Sequence, residues 1–385
     1  MLSTVFSALW TKILWLFSPG TLLSIAGIAF ALGLVIFIHE LGHFMACLLL
    51  KIRVEEFSVG FGKLLRKWQK GDTQYSLRAI PLGGYVKPSG EFYAREADTS
   101  DPRDFASKPW YSRAFMVFSG AGMNYVLAFV LFFGVVLSVG LPVEDPKLIP
   151  PVAGEIVDGY PAAQSGLKEG DRILSVNSVK INNWEELVKN LSAAQKEAKI
   201  EYSRGTQTFS ATIPLSKDKK IGLVLQPVYE KAGPFTAVKV AANQCYYWTA
   251  ISIKTIAEKL WHRQAPDMAG PIGIFEIVGK GVHSGPEDYF FLIGLISVAI
   301  GMFNLFPIPI LDGGHILFFI IEAIRRKRVK EKTLYRASTA GATFLVALVL
   351  YATYSDINRI YVRSAKPHAN IAAAAEQTAG KEASK

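Results

Sequence analysis

The sequence predicts a polytopic α-helical membrane protein with four transmembrane helices, a β element that dips toward the membrane, and an inserted mixed α/β domain. Three observations carry that expectation. Asp, Glu, Lys and Arg are absent from Ile13 to Ile38, from Ala114 to Val143, from Tyr289 to Leu311 and from Ala337 to Ser355. Each run can supply the ~20 helical residues needed to cross a hydrocarbon core. Basic residues gather in two of the connections between these runs, and the remaining connection, with nearly balanced charge, has the turn and strand pattern of a small folded domain.

The chain of 385 residues is 50% hydrophobic and 19% charged, which excludes a purely water-soluble protein. Its two cysteines, Cys47 and Cys245, form neither a disulfide framework nor a CxxC pair. The net charge of +10 is a topology signal and not a mark of nucleic-acid binding. Lys51 to Arg113 is rich in Lys and Arg, as is the block Arg325-Arg326-Lys327-Arg328, so both segments are expected to face the cytoplasm. Both termini and the long third connection then lie outside.

Residues 1–50 form the first transmembrane region, read as a retained span because its apolar run is too long for a signal peptide. Residues 51–112 are a cytoplasmic loop in which Phe57 to Gly62 and Gln74 to Val86 alternate as a membrane-associated hairpin. The second span covers 113–143. An outer domain follows at 148–228, with strands at Val152 to Val157, Arg172 to Val176, Lys199 to Ser203 and Thr208 to Ile213, and a helix from Trp184 to Ala193. In 229–286, Tyr246, Ile253, Ile256 and Leu260 share one face of a helix expected to lie on a surface instead of crossing the membrane. The third transmembrane region is 287–324, the basic loop 325–336 and the fourth span 337–356. In the tail, 357–385, the stretch Ala372 to Lys385 lacks an apolar period and is expected to be disordered.

The chemistry begins with His39-Glu40-Leu41-Gly42-His43 at the inner end of the first span. Four residues make about one helical turn, so both imidazoles share a face and can bind one zinc ion, with Glu40 placed to accept a proton. Ionisable groups inside a membrane are costly and usually serve function. A third zinc ligand is required, and Asp312, His315, Glu322 and Asp356 are the candidates in or beside a span. Asp312 is the best, because Asn304-Leu-Phe-Pro307-Ile-Pro309-Ile-Leu-Asp312-Gly-Gly-His315 lies at the same depth as the two histidines. Prolines and paired glycines make that stretch an irregular segment that can line a polar cavity.

HExxH in one span with NxxPxPxLDG in a later one resembles the site-2 protease family of intramembrane zinc metalloproteases. Phe57-Ser-Val-Gly-Phe-Gly, Ile80-Pro-Leu-Gly-Gly-Tyr-Val-Lys87, Gly270-Pro-Ile-Gly-Ile274, Asp356 and Arg359 extend the resemblance. The run from Tyr160 to Ile173, Tyr-Pro-Ala-Ala-Gln-Ser-Gly-Leu-Lys-Glu-Gly-Asp-Arg-Ile, resembles a PDZ domain of the bacterial protease type. The whole is similar to the bacterial, inner-membrane branch that cleaves anti-sigma factors, here with one PDZ copy. Where that branch has a Gly-Pro pair ahead of an Asn, this chain has Gly120-Ala121-Gly122-Met123-Asn124.

The resemblance implies a zinc endopeptidase that cuts the membrane segment of a single-pass protein, with His39, His43 and Asp312 as ligands and Glu40 as the base. It implies substrate contacts at Asn304, Pro307, Pro309, Gly83, Gly84 and Asn124. Gly222, Leu223 and Val224 would form the PDZ edge on which a peptide adds as a strand. The contrasting expectation is a catalytically silent PDZ scaffold.

Overall fold

The computed structural model describes residues 18–90, 101–215, 221–262 and 270–382. The chain divides into two compact units, one made of Met1–Val135 with Val238–Lys385 and the other of Val136–Ala237.

In the first unit, α1 spans Pro19–Leu49 and is about 46 Å long at 1.5 Å per residue. Ser18 caps it by accepting the Thr21 amide, with Pro19 in the first turn where its missing N–H costs nothing. α2 spans Trp110–Val139. Both are long and apolar enough to cross a membrane, as are α7, Pro286–Asn304, and the stretch Glu331–Tyr361 of α9, Glu331–Glu382. The four predicted spans therefore all have a helix. The tail is a correction: Ala372 to Lys385 was expected to be disordered, yet α9 runs unbroken to Glu382. Alanine is the strongest helix former, so this Ala-rich stretch extends the helix without an apolar face.

Between α1 and α2 lie β1, Val54–Lys70, and β2, Thr73–Pro88, joined by a turn with Gly71 at φ +61°. The pairing is longer than the expected hairpin because this tight turn sets a register in which Lys70 pairs with Thr73 and Trp68 with Tyr75. Both strands then curl. Phe57 has Val86 on one side and Tyr75 on the other, so residues 84–88 form an edge paired with 54–59.

The third transmembrane region is discontinuous, as its prolines predict. α7 ends at Asn304 and α8 begins at Asp312, extending to Arg325. The intervening segment folds tightly over the start of α8. A Cβ at Gly313 would collide with the Leu305 carbonyl, and one at Gly314 with the Ile308 carbonyl, which explains the glycine pair.

The predicted linker before the third span contains α6, Pro271–His283, packed on the N-terminal half of α1, where Gly27 meets Val282. Asp356 of α9 accepts the Gly273 amide at 2.7 Å and pairs with Arg359 at 2.9 Å, so its charge sits at the start of α6. α5, Pro234–Trp261, leaves Tyr246, Ile253 and Leu260 exposed.

The second unit contains the predicted insertion and extends beyond it, because β3, Leu141–Pro142, pairs with β10, Tyr229–Glu230. β4, Ala153–Ile156, pairs with β9, Leu223–Leu225. A four-stranded sheet has the order β6-β5-β7-β8, from Val179–Lys180, Arg172–Val176, Glu197–Arg204 and Gln207–Pro214. The short helix α3 is Pro161–Gln164, and α4, Trp184–Ala193, is capped by Asn183, whose side chain accepts the Glu186 amide. Ile173, Val176, Leu187, Ile200 and Ile213 are fully buried in its core.

Candidate active site

His39 and His43 lie one turn apart on α1, so the helix alone brings their rings to a centroid distance of 4.7 Å. Asp312, the first residue of α8, meets them from the broken third region. Its Oδ2 lies 3.2 Å from His39 Nε2 and 3.6 Å from His43 Nε2, and the two Nε2 atoms are 3.1 Å apart. The ligand atoms of these three residues all lie within 4.8 Å of one another. Two of the other candidates for a third ligand are engaged elsewhere: Asp356 at α6, and Glu322 with Arg113.

This cluster fits zinc on three grounds. Two imidazole nitrogens and a carboxylate oxygen are a zinc donor set that leaves one position open. Asp312 Oδ2 is buried without a hydrogen-bond partner among the described residues. Gly120 of α2 faces the histidines, and a Cβ there would fall 2.8 Å from His39 Nε2 and against His43 Nε2. A side chain at Gly120 would occupy the space on the metal side of the rings. His43 is fixed from behind, where Nδ1 lies 3.0 Å from the Met116 carbonyl and donates to it.

Glu40 is half-buried beside the cluster and is hydrogen-bonded by the Val86 amide of the edge strand. Gly84 lets that strand approach, since its Cβ would meet the Ser58 carbonyl and sit 3.3 Å from Glu40 Cγ. Gly83, at φ +154°, lies under the Phe61 ring. Asn304 ends α7, Pro307 is exposed, and the Pro309 carbonyl packs on Gly341 of α9. Ile310, a β-branched residue at φ +94°, strains the segment two residues before Asp312.

Asn124, expected to touch substrate, is 0% exposed, and its amide lies 3.2 Å from His39 Nδ1, behind the imidazole. Helix packing forces this position: Ser297 donates to the Asn124 backbone carbonyl, and Gly301 lets α7 close on it. Gly120 and Met116 were missed as site residues because the crossing of α1 and α2 defines their roles. The Gly-x-Gly spacing in an apolar span was the only signal of a close approach.

Within the second unit, Gly222, Leu223 and Val224 line a groove of about 320 Å³ together with Tyr160, Val188 and Leu191.

Two helix-borne histidines, an aspartate from the broken third region and an adjacent glutamate together have the donor set and base of a metallopeptidase centre. Comparison with known proteins agrees: residues 27–348 match the model of peptidase family M50, and the chain belongs to that family. A Clostridium acetobutylicum protein provisionally assigned as a zinc metalloprotease is 33% identical over 85% of this chain and 95% of its own. The regulator of sigma-W protease RasP of Bacillus subtilis is 27% identical over 86% of this chain and 97% of its own. Metalloprotease MmpA of Caulobacter vibrioides is 28% identical over 88% and 96%. The protein is thus a zinc metalloprotease of the membrane.

Proposed function

We propose that the protein cleaves the transmembrane segment of single-pass membrane proteins, among them an anti-sigma factor already shortened by a first cut. The observation that carries this reading is the convergence of Asp312 on His39 and His43, which lie with Glu40 on a helix long and apolar enough to cross a membrane. His39, His43 and Asp312 hold zinc, which when bound supplies Lewis-acid activation of water and the scissile carbonyl. Glu40 accepts the proton of the attacking water and returns it to the departing amine.

A helical substrate hides its peptide bonds and must be unwound. The edge at 84–88, paired on one side with 54–59 and reaching Glu40 through the Val86 amide, offers backbone groups for an added strand. Asn304 and the kinked Pro307 and Pro309 segment flank the opened backbone. The insertion acts as a PDZ-like peptide reader, with the Gly222 to Val224 edge as its binding strand. The basic loops support an orientation with the active site toward the cytoplasmic side of a bacterial inner membrane and both termini and the insertion outside.

The test is cleavage of a model single-pass substrate co-expressed with each variant. Glu40→Gln and His43→Ala are expected to accumulate normally and leave the substrate whole. Substantial cleavage by either would refute the reading, and peptide binding by a protein inactive in all forms would favour the silent scaffold.

A further inference from the structure

The two histidines are held from behind by different partners. A histidine that ligates through Nε2 must carry its proton on Nδ1, and a hydrogen-bond acceptor there fixes that tautomer. His43 has one in the Met116 carbonyl at 3.0 Å. His39 Nδ1 instead faces the Asn124 amide, whose Nδ2 is 3.2 Å away. With Nδ2 as donor, His39 Nδ1 must accept, and the ring proton moves to Nε2, the atom turned toward Asp312 and His43. That tautomer has no lone pair for a metal.

Asn124 Oδ1, meanwhile, is buried with no hydrogen-bond partner among the described residues. A half-turn of the amide exchanges Oδ1 and Nδ2 without moving the rest of the side chain. Oδ1 would then accept the His39 Nδ1 proton, as the Met116 carbonyl accepts that of His43. The backbone that carries this amide is fixed, because Ser297 Oγ donates to the Asn124 carbonyl at 2.8 Å and a Cβ at Gly301 would lie 3.2 Å from both Asn124 Cβ and the Ala121 carbonyl. α7 thereby holds a side chain of α2 against a ligand on α1.

We propose that Asn124 is a positioning residue whose side-chain carbonyl, turned to His39 Nδ1, selects the metal-binding tautomer of His39. The proposal rests on the zinc-ligand reading above. It assigns Asn124 to the metal side of the reaction and not to substrate recognition.

The experiment uses the full-length protein in lipid nanodiscs, stripped of metal and titrated with zinc against a chromophoric chelator, with the cobalt absorption spectrum as a second readout. Asn124→Leu keeps the size but has no acceptor, and Asn124→Asp keeps an acceptor in place. Asn124→Leu is expected to weaken zinc binding about 10- to 100-fold and to alter the cobalt spectrum, while Asn124→Asp stays within about threefold. Asn124→Ala carries the same expectation as Asn124→Leu should the latter fail to fold. Zinc binding by Asn124→Leu or Asn124→Ala as tight as that of the unsubstituted protein overturns the proposal, as does Asn124→Asp binding as weakly as Asn124→Leu. An unsubstituted protein that takes up no zinc overturns the zinc-ligand reading and this proposal together. Intact zinc binding with no proteolysis overturns only the cleavage reading.

Discussion

Replacing Gly120 by alanine sets two physical effects against each other. Alanine in a helix interior is favoured over glycine by about 1 kcal/mol, so the substitution should preserve or raise the stability of α2. The same methyl would sit 2.8 Å from His39 Nε2, where ordinary contact begins at 3.4 Å. The imidazole must then retreat by about 0.6 Å, several times the ~0.2 Å tolerance of a metal–ligand distance. A contact with His43 Nε2 is tighter still, so both nitrogen ligands are disturbed together. Gly120→Ala is expected to retain well under one zinc per chain after dialysis and to lose cleavage, while the metal-free form melts no lower than the unsubstituted metal-free protein. Gly122→Ala is the control, since its Cβ would meet the Phe118 ring at an ordinary 3.5 Å. Elemental analysis and thermal melting of both variants in detergent measure this. A Gly120→Ala protein with full zinc and full activity would show the steric reasoning to be wrong.

Other consequences follow from groups away from the zinc ligands. Arg113 and Glu322 are nearly buried and paired, and Arg113 also stacks 4.6 Å above the Phe319 ring. Removing one partner strands a buried charge, so Arg113→Met should destabilise by about 3 to 5 kcal/mol in reversible unfolding, and the double change Arg113→Met with Glu322→Leu by less; equal losses would contradict the pairing. In the insertion, burial pushes the Asp171 carboxyl up, but hydrogen bonds from Arg204 and the Lys168 amide, with their charges, outweigh it and hold the pKa below its ordinary 3.8. The resulting stability is complete above pH 3.8 and lost as pH falls through the lowered native value. Hydrogen exchange in β7, corrected for intrinsic rate, should therefore accelerate in that acid window in the unsubstituted protein but not in Asp171→Asn, and an identical acid response in both would remove Asp171 as the cause. Ile310→Gly relieves a strained φ and should raise thermal stability by about 1 kcal/mol or more; a lower melting temperature would mean that the Ile310 side chain stabilises the loop by more than its strain costs.

Much of this architecture is written locally in the chain. The charge-free runs give the spans, and the four-residue spacing of His39 and His43 puts both rings on one helical face whatever surrounds the helix. Pro307, Pro309 and the Gly313-Gly314 pair announce the break that delivers Asp312. The insertion's helix from Trp184 to Ala193 was legible from apolar spacing. What sequence could not supply depends on how helices cross. Gly120 and Asn124 are four residues apart on α2, and only the close approach to α1 and α7 turns one into open space and the other into a histidine partner. The curl of β1 and β2 was hidden for the same reason, because alternation marks strands but not that 54–59 has neighbours on both sides. The helical tail shows the opposite limit: absence of an apolar period removes a packing face but leaves alanine's backbone preference intact.

The most direct test of the central claim is the position of the cut. Purified protein in liposomes, given a single-pass substrate, can have its products mapped by mass spectrometry beside a Glu40→Gln control. The account predicts one or a few cuts inside the substrate's apolar segment, dependent on zinc and missing from the control. Cuts confined to the water-exposed flanks, or unchanged cutting by Glu40→Gln, would contradict it.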